Sequence, residues 1–181
     1  PRDQSVLRLD ETLAAWPDVR WNLDPKADSA VAGLVGAVRQ AGALDRVCVT
    51  SFSDRRLRWV RKALGPGLCA AMGTAAVAAL RASSYAPSAA MLRATFSAYG
   101  AVQVPLRWKG VQLVDERFLS AAHRAGLALH VWTIDDESVM RRLLALGVDG
   151  IMSDAPTVLR AVLSERGEWP SAKDATPQGD A

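Results

Sequence analysis

Residues 19–28 read VRWNLDPKAD. Side chains alternate across a strand, so Asn22, Asp24 and Lys26 share one face while Trp21, Leu23 and Pro25 take the other. A carboxylate beside an ammonium on a strand face that packs inward is costly to desolvate, so something must use the pair. Pro25 lacks the N–H that a ladder needs and marks the end of the run.

The same unit recurs along the chain. A short, largely β-branched run ends in polar or glycine residues, and a helical pattern follows. After residues 19–26 the runs are RVCVTSF (46–52), GLCAAMG (67–73), AVQVPL (101–106), LALHVWTID (127–135) and VDGIMSD (148–154). Helical stretches separate them, and a last one, APTVLRAVLSERG, closes the series. Asp28 or Ser29, Ser53, Thr74, Asp115 and Asp136 sit where N-caps belong, and Gly42, Gly65, Gly126 and Gly147 sit where helices end. This alternation implies parallel strands joined by helical crossovers. A short helix over 8–18, capped by Asp10 and stopped by Pro17, is expected before the first strand. One more is expected around residues 89–99.

At 181 residues, half of them hydrophobic, the chain is long enough for one well-buried domain. That domain is expected over 1–167, with the polar, proline-bearing stretch 168–181 as a disordered tail. A net charge of +3 does not point to nucleic acid. The densest basic run, DRRLRWVRKALG (54–65), reads as a helix with Leu57, Val60 and Leu64 inward and Arg55, Arg58, Arg61 and Lys62 in solvent. Weak attraction of that face to anionic lipid head groups or other phosphates is the alternative. Cys48 and Cys69 lie in apolar runs without metal spacing and read as buried free thiols. No apolar run is long enough to span a bilayer, so no stable membrane anchor is expected. The chain opens at Pro1 with neither a basic nor an apolar leader region, as a processed protein or a fragment would. A cytoplasmic protein is the expectation.

Polar residues recur at the C-terminal end of nearly every strand. Asp24 and Lys26 end the first, Ser51 the second, Gly73 the third and Gln103 the fourth. Trp132, Thr133 and Asp135 end the fifth, and Ser153 and Asp154 the sixth. An open α/β sheet concentrates its ligand groups at one switch point, whereas a barrel gathers them from many strands around one mouth. No glycine-rich phosphate loop follows the first strand, which weakens the open-sheet reading further. The expectation is a barrel with six parallel strands, two short of eight.

WNLDPK, VTSFS, HVWTIDD and, one helix later, GVDGIMSDAP together resemble the glycerophosphodiester phosphodiesterase family. Its members carry an N-I-[DE]-x-K strand, an S-F strand, a V-W-T-[VI]-[ND] strand and a G-[VA]-D-G-I-[IM]-[TS]-D strand in this order. The resemblance spans roughly residues 5–166 and implies a (β/α)8 TIM barrel lacking its first two βα units. It implies metal-dependent hydrolysis of glycerophosphodiesters, small-molecule substrates, to an alcohol and glycerol 3-phosphate. By motif position, Asp24 resembles a metal-ligating carboxylate, where many members have Glu. Lys26 resembles the lysine that faces the substrate phosphate, and Trp132 the aromatic that walls the pocket. The implied cofactor is a divalent metal, Mg²⁺ or Ca²⁺.

The family's H-R-G, E-x-D and H-D elements, which supply both catalytic histidines and two metal carboxylates, have no counterpart here. No catalytic residue is therefore assigned within the chain, which is expected to be inactive alone. His123 reads as a helix-surface residue and His130 as a core histidine one layer below Trp132. Without the resemblance, Asp24 and Lys26 read equally as a structural ion pair and Trp132 as core. Ser51 and Phe52 shape the end of the second strand, no base standing at motif spacing from the serine. Asp135, Asp136 and Asp154 read as helix caps, and Gln103 has no assigned role. Two other readings stay open: a non-catalytic phosphate-binding pseudoenzyme, and another phosphate-binding barrel. The family reading requires Asp24, Lys26 and Trp132 to converge at one barrel mouth.

Overall fold

The computed structural model describes residues 6–85 and 88–169. Helix α1 (Leu9–Ala15) leads into β1 (Trp21–Leu23). Then come α2 (Ala30–Gln40), β2 (Val47–Val49), α3 (Asp54–Leu64), β3 (Cys69–Ala70) and α4 (Thr74–Ala82). A 3₁₀ turn (Ser83–Tyr85) and α5 (Ala89–Phe96) precede β4 (Ala101–Pro105). A hairpin of β5 (Arg107–Trp108) and β6 (Val111–Gln112) follows. Finally come α6 (Glu116–Ala125), β7 (Ala128–Trp132), α7 (Glu137–Leu146), β8 (Gly150–Ile151) and α8 (Pro156–Glu165). Residues 170–181, most of the expected tail, lie outside the described residues. No described helix is long and apolar enough to cross a membrane.

Strands β1–β2–β3 form one parallel sheet and β4–β7–β8 a second. A bridge between Ala71 and Ala101 stitches β3 to β4, with the Met72 N–H donating to the Ala101 carbonyl at 2.9 Å. Each parallel strand therefore lies beside its predecessor in the chain, the winding of a barrel rather than the reversed order of a doubly wound sheet. Among the described residues no strand pairing joins β1 to β8, so the sheet is an open arc.

Alternation decides which face each residue takes. Leu129 and Val131 of β7 are fully buried against the helices, among Phe118 of α6 and Met140 and Leu143 of α7. His130 and Trp132 point the other way, into the arc. In the first sheet Val47 and Val49 pack with Val38 of α2 and with Leu57 and Val60 of α3. The basic helix behaves as its periodicity predicts, with Leu57 and Val60 buried and Leu64 packed at the core's margin.

Cap positions are local features, and several follow the sequence. Ser53, Asp115 and Asp136 accept from the N–H groups of Arg56, Phe118 and Val139. Gly126 and Gly147 end α6 and α7 in the left-handed region. Several cap expectations fail, in most cases because another partner takes the side chain. Asp10 lies in the first turn of α1 rather than at its cap and accepts from the Arg8 guanidinium at 2.8 Å. Asp28 pairs with Arg55 and Arg56 of α3, and Ser29 makes no side-chain cap. The Thr74 hydroxyl donates to the Phe52 carbonyl, and α4 is capped instead by Asp54, which accepts from the Ala75 N–H at 3.2 Å. At α8 the Ser153 hydroxyl, not Asp154, accepts from the Ala155 N–H.

Cys69 is exposed rather than buried, because a residue at a two-residue strand facing the open arc has no helix over it. The β5–β6 hairpin was not expected. Its two central residues, Lys109 (φ 49°) and Gly110 (φ 82°), both take positive φ, as a two-residue hairpin turn requires.

Gly150 pairs with His130 in register, and a Cβ there would lie 2.8 Å from the imidazole Cδ2. Gly150→Ala should cost about 1–3 kcal/mol by urea denaturation, and markedly less in a His130→Ala background. Asp115 caps α6 and also takes a bidentate bond from Arg81 at 2.9 and 2.7 Å. The Arg81 guanidinium holds its carboxyl below the usual range. Such a carboxylate adds stability above its unfolded pKa of about 3.9 and loses it as pH falls through the lower folded value. Asp115→Asn keeps a capping oxygen but not the charge. Its deficit in denaturation midpoint should be full at neutral pH and vanish in strong acid.

Candidate active site

A cavity of about 770 Å³ opens where the C-terminal ends of the parallel strands meet. Asn22, Asp24 and Lys26 enter it from β1 and the residues after it, Ser51 and Phe52 follow β2, and Met72 and Gly73 follow β3. Gln103 comes from β4, Trp132 and Thr133 from the end of β7, and Met152 follows β8. All three residues singled out in the sequence, Asp24, Lys26 and Trp132, line this one mouth.

The Lys26 ammonium donates to Asp24 Oδ2. Its side chain is 77% exposed while that of Asp24 is 21% exposed, so the cation reaches into the opening and the carboxylate sits at its base. The ammonium also lies 5.9 Å from the centroid of the Phe52 ring, and Phe52 meets Trp132 edge to face at 5.9 Å. Lysine, phenylalanine and tryptophan thus form one wall built from three separate strand ends. Asp24 Oδ1 is buried without a hydrogen-bond partner, which is rare for a charged acceptor.

Below the mouth, polar side chains fill the arc. Asn22 and Gln103 exchange reciprocal amide bonds at 3.1 Å, joining β1 to β4. The Gln103 amide nitrogen also lies 3.3 Å from His130 Nδ1. Burial lowers the His130 pKa, so the ring is neutral and Nδ1 can accept from the amide. His130 does not line the cavity, and its place one layer below Trp132 agrees with the core reading. His123 stands on α6 with Nε2 2.8 Å from Asp149, remote from the mouth. Cys48 and Cys69 are register partners in the same interior. A hydrogen bond from the Cys48 thiol lowers the Cys69 thiol to about 7 and raises that of Cys48.

Other polar strand-end residues serve structure. Ser51 Oγ accepts from Arg56 Nε at 3.2 Å and has no base beside it. Asp135 is not a cap: its carboxylate accepts from the Ser153 hydroxyl and the Asp154 N–H, tying two βα loops together. The cavity walls that the sequence did not disclose are Val77, Ala78 and Ala82 of α4, Tyr85, and Trp108 of the hairpin. A Lys-Gly turn after an aromatic was the available signal, too short to read as strands.

A divalent cation would need several hard oxygen donors. The unpartnered Asp24 Oδ1 has the character of such a donor. Among the described residues, no group of three or more His, Cys, Asp or Glu side chains gathers for a metal. The described residues therefore offer one ligand and do not complete a shell.

Residues 8–158 match the model of the glycerophosphoryl diester phosphodiesterase family. A Mycobacterium tuberculosis protein named "Probable glycerophosphodiester phosphodiesterase 2" is 37% identical over 169 residues, 93% of this chain and 64% of that protein. The chain thus spans less than two thirds of the length of that relative. A crystal structure of a glycerophosphodiester phosphodiesterase from Agrobacterium tumefaciens superposes with a TM-score of 0.61 at 22% identity, over 88% of this chain and 62% of that one. An Oleispira antarctica phosphodiesterase, solved with the product sn-glycerol-3-phosphate, gives 0.62 at 22% identity over 83% of this chain and 57% of that one. At that identity the structures speak to the fold, and the family model to descent. With the motif strands converging on one mouth and the match running through all of them, the chain belongs to the glycerophosphoryl diester phosphodiesterase family.

Proposed function

We propose that the protein hydrolyses glycerophosphodiesters to an alcohol and glycerol 3-phosphate at this mouth. On this reading the chain supplies six of the eight βα units of a (β/α)8 barrel. The observation that carries it is the convergence of an exposed lysine, a carboxylate with an orphan oxygen and an aromatic wall on one cavity. Family membership supports it, as does the product sn-glycerol-3-phosphate found on the Oleispira protein.

In the reaction a water oxygen forms a bond to phosphorus while the P–O bond to the alcohol breaks, and a water proton ends on the leaving oxygen. Negative charge grows on the non-bridging oxygens as this happens. A fixed ammonium aimed at them lowers the barrier, and Lys26 is placed for it at the rim. Asp24 anchors Lys26 and presents Oδ1 as one ligand of Mg²⁺ or Ca²⁺, which when bound would draw off the same charge. Phe52 and Trp132 wall the site and exclude water from that side. Neither histidine of the chain lines the mouth, and on this reading proton transfer falls to groups outside this chain.

Two tests follow. In the full-length protein, Lys26→Ala should lower kcat about 10²–10³-fold, the usual loss for one charge-stabilising donor, and extra metal should not restore it. Asp24→Ala should weaken Mg²⁺ or Ca²⁺ binding measured by titration calorimetry, and excess metal should recover part of the rate. Near-normal rates in both variants would reduce the pair to a structural ion pair. The 181-residue chain alone should not hydrolyse glycerophosphocholine above background. Turnover by it would overturn that reading and bring His130 back into contention.

A further inference from the structure

The cavity has a second half that the chemistry above leaves unused. Its walls are Val77 and Ala78 of α4, Tyr85, Val104 of β4, Trp108 of the hairpin and Leu113 after it. Among the described residues one charged side chain lines this half, Arg81, and the bidentate bond to Asp115 neutralises it. This wall is not core laid bare at the open edge of the arc. It is built from residues between β3 and α6, at the paired seam where β3 meets β4, whereas the arc opens between β1 and β8. Its rim reaches solvent, with Trp108 47% and Tyr85 68% exposed.

A small polar alcohol gains nothing from such a wall. A choline head group would want a carboxylate to balance its charge. Among the described residues lining this half there is no carboxylate, and the Arg117 guanidinium already lies 5.1 Å from the centroid of the Tyr85 ring. Apolar surface that opens to water beside a phosphate-binding rim is a place for hydrocarbon.

We propose that this half is a subsite for a single hydrocarbon chain, so that the protein acts on phosphodiesters bearing one long apolar substituent. The phosphate sits at Lys26, and the chain leaves along the groove between α4 and the β5–β6 hairpin. This rests on the phosphodiesterase reading above and deepens it. The chain belongs either to an acylated glycerol, as in a lysophospholipid, or to the alcohol. Either way the substrate is a phosphodiester that carries one chain. The groove rewards each methylene it removes from water with about a fourfold gain in kcat/KM until it is full.

The full-length protein should be assayed below micelle-forming concentrations on glycerophosphocholine, on 1-acyl lysophosphatidylcholines of eight and twelve carbons, and on glycerophosphododecanol. At least one chain-bearing series should exceed glycerophosphocholine in kcat/KM by tenfold or more, and which series does so identifies the side that carries the chain. Trp108→Ala and Val77→Ser should each lower the ratio of chain-bearing to chain-free kcat/KM at least tenfold. Trp59→Ala, on α3 and away from the cavity, should leave it unchanged. Equal or lower kcat/KM for every chain-bearing substrate overturns the proposal, as does a ratio unmoved by both groove variants. If no substrate turns over, the phosphodiesterase reading fails. Calorimetric binding of dodecanoyl lysophosphatidylcholine then decides the subsite: saturable binding weakened by Trp108→Ala upholds it, and no binding overturns it.

Discussion

Parallel pairing constrains everything else in this molecule. Neighbouring parallel strands point the same way, so each connection must cross back over the sheet and every C-terminal end emerges on one side. Helices α2 to α7 provide those crossovers and, with α8, bury the outward-facing residues of the strands, as Val49, Leu129 and Val131 show. The same constraint delivers Lys26, Phe52, Gly73 and Trp132 to a single opening although they lie far apart in the chain. A mouth lined from many strands follows from strand direction, and the residues at the strand ends need only the right chemistry.

The ion pair at that mouth contributes little to the fold. With its ammonium mostly in solvent, Lys26 gains about 0–1 kcal/mol from Asp24. What holds β1 is apolar packing of Trp21 and Leu23, the Thr50 N–H bonded to the Leu23 carbonyl at 2.9 Å, and the reciprocal Asn22–Gln103 pair. A charged pair that the fold can spare, with an orphan carboxylate oxygen beside it, is better explained by what binds there than by stability. The polar layer beneath does the opposite work. Asn22, Gln103 and a neutral His130 satisfy one another across the arc, where unpaired amides would be costly.

The apolar side of the cavity adds a division of labour. Polar groups from β1 face hydrocarbon from α4 and the hairpin, so one opening offers a charged and an oily end. Arg81 could have blurred that division, but Asp115 holds it and its guanidinium lies 6.0 Å from the centroid of the Phe118 ring. The hairpin that completes the groove is an insertion between β4 and α6. It shapes the mouth without altering the order of the parallel strands.

The βα alternation, the inward faces of the strands and the caps at Ser53, Asp115 and Asp136 were all legible in the sequence. Each depends on neighbours within about four residues, where sterics and hydrogen-bond reach leave few alternatives. Asp24, Lys26 and Trp132 could be picked out because strand periodicity and motif order placed them at strand ends. The partners of polar side chains were not legible. Asp28 and Asp135 each left the local cap for a donor on another element, Asp54 of α3 turned to cap α4, and Asn22 found Gln103 across the arc. Cys69 and the groove behind Trp108 depend on how the arc curves and where its edge lies. A carboxylate or amide can satisfy itself with many donors at similar cost. Only the packed arrangement of strands and helices, which fixes distances between residues remote in sequence, selects one.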